Sequence, residues 1–354
     1  MFETACSLLQ HAVTAGRFPG AALAVGCRGR LLAQAYFGTM APLDAPFEPV
    51  GPHTVYDLAS LSKVVAATTL LLQDFASGAL SPQDPLRRFF AGAGPQKGAL
   101  TLAQLLTHTA GLKSWARLDL LGPPPAAAAE TILSMPLAYA PGSRVVYSDL
   151  GFILLGRVLE LAHGAPLPQL ARQRVFAPLG MVHTSYAPPP ALCAPTERDE
   201  RGAWLRGVVH DENARFLGGD SGNAGVFSTL PDLARYAAAL ACGGSLEGVE
   251  LVPAATLRAA CQNATPGLGQ NRGLGFQLAG APGDFFGPLF SPAGFGHTGF
   301  TGTSLAVDPA GGLFVVLLTN RVHPARQPDR FAGLRAEIHS AILQEWRAQQ
   351  GGNT

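Results

Sequence analysis

Apolar residues recur at helical spacing over residues 4–15, and Gly16 and Pro19 end that run. Two strongly apolar segments follow, residues 20–27 and 30–37, separated by Arg28-Gly29, a pattern that predicts a β-hairpin. A polar, proline-rich connection covers residues 39–54. Residues 60–77 then carry a long helical pattern, with Gly78 placed as a left-handed C-terminal cap. Thr101 and Gln104 fit a capping box ahead of Leu105-Leu106. Residues 123–129, rich in proline and alanine, predict a surface loop. Residues 148–162 predict a second strong helix, capped by Ser148 and closed near Gly164, whereas residues 188–215 fade into loop. A glycine-dense turn spans 218–225, and Thr229 caps a helix over 233–241. The tail returns to strands at 273–278, 302–308 and 313–319, the last two forming a hairpin around 309–312, before a final helix over 331–349.

Strands near both ends with helices between them predict a mixed α/β (α+β) fold. Residues 1–354 read as a single domain. Its α/β lobe comes from about 1–59 and 230–354, and its mostly helical lobe from about 60–229.

Composition narrows the function classes. The chain has 354 residues, 47% hydrophobic and only 14% charged, so it can build a substantial core. Net charge is +1 without a basic cluster, which leaves no electrostatic footprint for nucleic acid. The longest apolar run, 64–72, is interrupted by two threonines and is too short to span a bilayer, so no membrane role is expected. Residues 1–6 do not read as a signal peptide, and a cytoplasmic location is expected. Cys6, Cys27, Cys193, Cys242 and Cys261 are odd in number and scattered, predicting reduced thiols rather than disulfides or a zinc site. No cofactor or metal is expected, and oligomeric state is open.

The chemistry begins at Ser60 and Lys63. Lysine occurs only at 63, 97 and 113, against arginine at every other of 25 basic positions. An amine can lose its proton where a guanidinium cannot, so Lys63 is a candidate proton acceptor. At i and i+3 near a helix start, Ser60 and Lys63 share one face, and the helix terminus suits a developing oxyanion. Tyr147, ahead of Ser148-Asp149, is either an aromatic packed against a helix start or a second base whose pKa a neighbouring cation lowers. Residues 296–302, a glycine-rich run holding His297, Thr298 and Gly299, let backbone approach a substrate closely. A metal reading of His210-Asp211-Glu212 is weak, because three adjacent loop residues cannot all face one ion.

In this order, Ser60-Leu-Ser-Lys63, Tyr147-Ser-Asp149 and His297-Thr-Gly299 resemble the motifs of the serine β-lactamases and penicillin-recognising DD-peptidases. The tyrosine points to the class C-like branch with its related esterases and D-aminopeptidases. Residues 105–112, 139–142 and 225–229 extend the resemblance over most of the chain. It implies a β-lactamase/transpeptidase-like antiparallel sheet flanked by helices, with a cleft against the helical lobe. It also implies a Ser60 acyl-enzyme, proton transfer by Lys63 and Tyr147, and substrate binding by Asp149, His297, Thr298 and Gly299. The N–H groups of Ser60 and Phe300 would form the oxyanion hole. Asp149 stands where the family carries asparagine, and His297 where it carries lysine or histidine. A partly protonated His297 would make activity vary with pH near neutrality. The expected substrate is a small ester, amide or β-lactam. Carboxylesterase and D-amino-acid peptidase activities rank level, with β-lactamase below them. The alternative is a non-catalytic sensor or binding protein that keeps the fold.

Overall fold

The computed structural model describes residues 1–41, 48–327, 331 and 333–351; residues 42–47 of the proline-rich connection lie outside this set. Its frame is an antiparallel sheet. Strands β1 (Gly20–Cys27) and β2 (Arg30–Gly38) form the expected hairpin, followed much later in the chain by β3 (Gln277–Leu278), β4 (Phe295–Thr298), β5 (Ser304–Asp308) and β6 (Leu313–Thr319). The order across the sheet is β2-β1-β6-β5-β4-β3, so the two ends of the sequence meet where β1 pairs with β6, Ala21 opposite Thr319.

Side-chain alternation sorts each central strand onto two cores. Ala21, Leu23 and Val25 of β1, with Val315 and Leu317 of β6, face helices α1 (Glu3–Thr14) and α5 (Leu334–Gly351). Ala22, Ala24, Val316 and Leu318 face the opposite core, which holds α4 (Leu230–Ala241) and the helical region. This burial on both faces explains why β1 reads as continuously apolar, while edge strand β2 is mostly half-exposed. Gly26 has no room for a side chain, since a Cβ there would lie 2.1 Å from the Phe314 ring.

The predicted helix over 60–77 is not one regular helix. It starts as a 3-10 turn at Ala59–Leu61, widens to a π-type segment at Lys63–Thr68, and becomes the α-helix α2 (Thr69–Ser77), ended by Gly78 at φ 75°. Helix α3 (Asp149–His163) is capped by the Ser148 side chain, which accepts from the Gly151 N–H, and it ends at left-handed Gly164. Thr229 caps α4, which begins three residues earlier than the apolar period suggested. Two predicted loops contain helix: Ala128–Ser134 buries Ala128 and Ala129, and Glu212–Phe216 is capped by Asp211. The predicted strand 273–278 shortens to β3. The five cysteines are all free thiols. Among the described residues no single helix is long and apolar enough to cross a membrane.

Candidate active site

Ser60 stands at the junction of the sheet and the helical region, on a backbone held under tension. Ala59, the residue before it, adopts φ 46°, a left-handed conformation costly for a residue with a Cβ. The strain is held from several directions. The buried Asp57 carboxylate accepts the Ala59 N–H at 2.8 Å through Oδ1 and the His210 N–H at 2.7 Å through Oδ2. The Thr301 hydroxyl donates to the Asp57 carbonyl at 2.7 Å, and Thr303 donates to the Leu58 carbonyl at 2.9 Å. Gly299 must lack a side chain, because a Cβ would lie 2.4 Å from the Leu58 carbonyl oxygen. The loop after β4 is thereby fastened against the Ser60 turn.

Lys63 is fully buried, and its ammonium has three acceptors for three protons. Nζ donates to Ser60 Oγ at 2.9 Å, to Asp149 Oδ1 at 2.6 Å and to the Asn223 carbonyl at 2.9 Å. Burial alone favours the neutral amine, in line with the sequence expectation. The negative charge of Asp149, then Tyr147 and their hydrogen bonds, outweigh it and hold Lys63 above the ordinary lysine pKa. At rest Lys63 is therefore a cation rather than a ready proton acceptor.

Tyr147 completes the group from the residue before the α3 cap. Its ring lies 5.0 Å from Lys63 Nζ, and its hydroxyl is shielded from solvent without a well-directed hydrogen-bond partner among the described residues. Burial raises its pKa. Lys63 and Ser60 are near enough to pull it back down, but Asp149 adds to the rise and the net direction is upward. The sequence expectation of a readily ionised tyrosine is thus reversed in the resting protein, and Asp149 contributes to both reversals. His108 fixes Tyr147 from behind. The two rings lie 4.5 Å apart, and His108 Nδ1 accepts the Ser148 N–H at 3.0 Å. His108 lies in the 105–112 segment, yet nothing in its local spacing shows this contact.

His297, Thr298 and Gly299 reach the same place through β4. His297 is buried and neutral: burial, then Arg272 and Lys63, push its pKa down to about 3. Its Nδ1–H donates to the Thr298 carbonyl at 2.8 Å, leaving Nε2 as an acceptor without a partner among the described residues. This corrects the expectation of a histidine titrating near neutrality. Phe300, half-exposed, borders the cleft, and neither its N–H nor that of Ser60 has an acceptor among the described residues.

Two cavities open onto Ser60, and both are bordered by Tyr147 and Phe300. One, about 320 Å³, gathers Arg272, Arg321 and Arg335 beside His297, Thr298 and Gly299. The other, about 380 Å³, is lined by Trp115, Asp149, His210, Asp211, Glu212 and Arg326. Arg272 is buried, packs 5.6 Å from the Tyr147 ring, and bonds the Gln270 side chain rather than a carboxylate. Arg335 donates to the Thr303 carbonyl, and burial together with Arg321 lowers its pKa to about 9. None of the three arginines was singled out from the sequence. They come from separate segments and share no local spacing.

The arrangement gathers Ser60, a buried Lys63 and Tyr147 at the mouth of two cavities, and known proteins match the chain over most of its length. The sequence pattern that defines the Beta-lactamase family matches residues 7–339. A protein of Escherichia coli K12, provisionally named D-alanyl-D-alanine carboxypeptidase, is 32% identical, with the match covering 78% of this chain and 73% of that one. The N-acetylmuramyl-L-alanine amidase of Bacillus subtilis is 30% identical over 92% of this chain and 83% of its own. The solved structure of EstCE1, described as a hydrolase with promiscuous acyltransferase activity, superposes with a TM-score of 0.78 at 22% identity, covering 96% and 97% of the two chains. This chain belongs to the beta-lactamase family.

Proposed function

We propose that this protein is a serine hydrolase that cleaves an amide or ester bearing a carboxylate, through an acyl-enzyme on Ser60. The observation that carries the reading is the buried Lys63 ammonium, 2.9 Å from Ser60 Oγ and 5.0 Å from the centre of the Tyr147 ring. A non-catalytic binding protein has no need of a buried cation bonded to a half-buried serine at the cleft.

Loss of one proton from the Lys63–Tyr147 pair creates the base, and the pair titrates as a unit. That base takes the Ser60 proton as Oγ attacks the substrate carbonyl. The Ser60 and Phe300 N–H groups stabilise the resulting oxyanion, worth several kcal/mol of barrier. The proton then passes to the departing amine or alkoxide, and water, deprotonated by the same pair, releases the acyl group. Neutral His297 offers Nε2 as an acceptor, and Thr298 a hydroxyl, at the edge of the arginine cavity.

The arginines favour an anionic substrate. Arg272 and Arg335 are bonded to neutral oxygens, and Arg321 presses on Arg335 electrostatically, so a carboxylate entering this cavity relieves repulsion and gains charge-assisted hydrogen bonds. The name of the E. coli relative, a D-alanyl-D-alanine carboxypeptidase, supports a peptide with a terminal carboxylate, which ranks the D-amino-acid peptidase reading above a plain carboxylesterase. The test is mass spectrometry after incubation with a fluorophosphonate, followed by turnover of D-alanyl-D-alanine peptides and p-nitrophenyl esters. A single adduct at Ser60, absent in Ser60→Ala, is expected. No adduct on the folded protein sinks the reading.

A further inference from the structure

His210 has no part in the proton chemistry at Ser60, yet it bonds Asp57, which holds the Ser60 turn, and stacks on Phe300. We propose that His210, anchored by Glu197, is a positioning residue that sets the spacing between the Ser60 and Phe300 N–H groups; this rests on the serine-hydrolase reading.

Its backbone N–H donates to Asp57 Oδ2 at 2.7 Å, while Oδ1 of the same carboxylate holds the strained Ala59 immediately before Ser60. Its ring stacks on Phe300, with centroids 5.7 Å apart and planes 23° apart. One buried residue therefore joins the Ser60 turn through its main chain and the Phe300 turn through its side chain. Phe300 is 48% exposed: its neighbours Gly299 and Thr301 are fastened to the Ser60 turn, while its own ring is held by His210 on a flat face and by the Arg321 and Arg326 guanidiniums at 5.0 and 5.7 Å.

The ring of His210 is itself fixed. Its Nε2 lies 2.6 Å from Glu197 Oε2, and Glu197 Oε1 accepts the Arg326 N–H at 2.9 Å. The Arg326 side chain bonds both Glu197 and Glu212, and its guanidinium lies 5.7 Å from the Phe300 ring centroid. Burial works against the Glu197 charge, but the bonds from His210 and Arg326 prevail and hold its pKa down at about 2, so the anchor stays ionised through the neutral range. The groups around His210 thus form one connected set, Glu197 and Arg326 fixing the ring and Phe300 covering its face. Its members come from residues 57, 197, 210, 300 and 326, far apart in sequence, which is why residues 210–212 looked like an isolated polar triplet.

A displaced oxyanion donor lowers the rate of the chemical step more than substrate binding. The experiment measures kcat and KM per active site, titrated with the fluorophosphonate so that misfolded protein is not counted. It uses a p-nitrophenyl ester for the wild type, His210→Ala, His210→Phe and Phe300→Ala. His210→Ala should lower kcat about 10- to 100-fold with KM little changed, while His210→Phe, which keeps a flat ring on Phe300, should recover most of that loss. Combined with Phe300→Ala, His210→Ala should add far less than its separate effect. Wild-type kcat per titrated site in His210→Ala overturns the inference, as does a His210→Phe variant no faster than alanine. If His210→Ala does not fold, the comparison of His210→Phe with Phe300→Ala decides in the same way: the phenylalanine variant must be the faster. Absence of labelling in the wild type would instead remove the hydrolase reading itself.

Discussion

The two walls of the cleft at Ser60 are both rich in charge and use it differently. On the wall around His210, Asp149 is paired with Lys63, and Glu197 and Glu212 with Arg326; Asp211 caps the helix that follows it. On the opposite wall, Arg272 and Arg335 have only amide and carbonyl oxygens as hydrogen-bond partners among the described residues. Paired charges cost desolvation but lock geometry, whereas cations bonded only to neutral groups are prepared for an incoming anion. On the proposed reading, the first wall holds the machinery in place and the second wall meets substrate.

The most direct way to break this contrast is to remove a cation from the binding wall. Arg272→Gln keeps a polar side chain but loses the charge. It should lower kcat/KM for a carboxylate-bearing peptide about 10- to 100-fold, mostly through KM, the scale of one charge-assisted contact. A neutral p-nitrophenyl ester should be hydrolysed at nearly the wild-type rate. Equal losses on both substrates would mean that Arg272 supports Tyr147, over whose ring it packs, and does not read the substrate.

A smaller effect is expected from the paired wall, and in a different variable. Asp149 favours the cation at Lys63 and opposes the anion at Tyr147, so it resists the loss of the proton that creates the base. A base is lost as pH falls below its pKa, and a nearby anion raises that pKa. Asp149→Asn should therefore move the rising limb of the kcat profile to lower pH by about 1 unit, the lower end of what one close charge does. The check is a pH series on one ester. An unmoved limb, or one displaced upward, contradicts the role given to Asp149.

The two walls also differ in what the sequence reveals. The β1–β2 hairpin, the β5–β6 hairpin and the α3 cap follow from local patterning, and the structure has them within a residue or two. Ser60 and Lys63 could be found because an i, i+3 spacing puts them on one face, and Tyr147 and Asp149 because their motif resembles that of the serine β-lactamases; Lys63 Nζ bonds both Ser60 and Asp149 in the structure. Protonation states could not be found that way. They depend on burial and on a charge 86 residues away, which turned Lys63 from acceptor to cation. The arginine wall was hidden for a further reason: arginine is the common basic residue of this chain, so three of them from distant segments carry no local mark. Irregular stretches also misled the periodicity. The widened turn at Lys63–Thr68 departs from the α-helical period, and the helix after Asp211 is only 5 residues long, too short for a period to show despite its local Asp211 cap.

The smallest expected effect concerns His297, which lies on the binding wall but contributes no charge to it. With its pKa near 3 in the fold and an ordinary value when unfolded, His297 binds a proton only in the unfolded chain between those limits. The unfolded state is therefore favoured as pH falls through that window, and stability rises with pH up to about 6.5. His297→Gln removes this contribution. The stability difference between pH 7 and pH 5 should shrink by about 2 kcal/mol, on the basis of 1.4 kcal/mol per pH unit below the unfolded pKa. Urea midpoints at the two pH values measure it, and identical pH slopes in both proteins would show that His297 is not held neutral. Buried His339, pushed down to about 4, keeps its own contribution in both proteins and cancels from the comparison. The same neutrality requires that wild-type KM for an anionic substrate show no His297 inflection between pH 5 and 8. The positive charge of that wall then comes from arginines alone, which stay ionised across the range, while His297 keeps an uncharged acceptor at their edge.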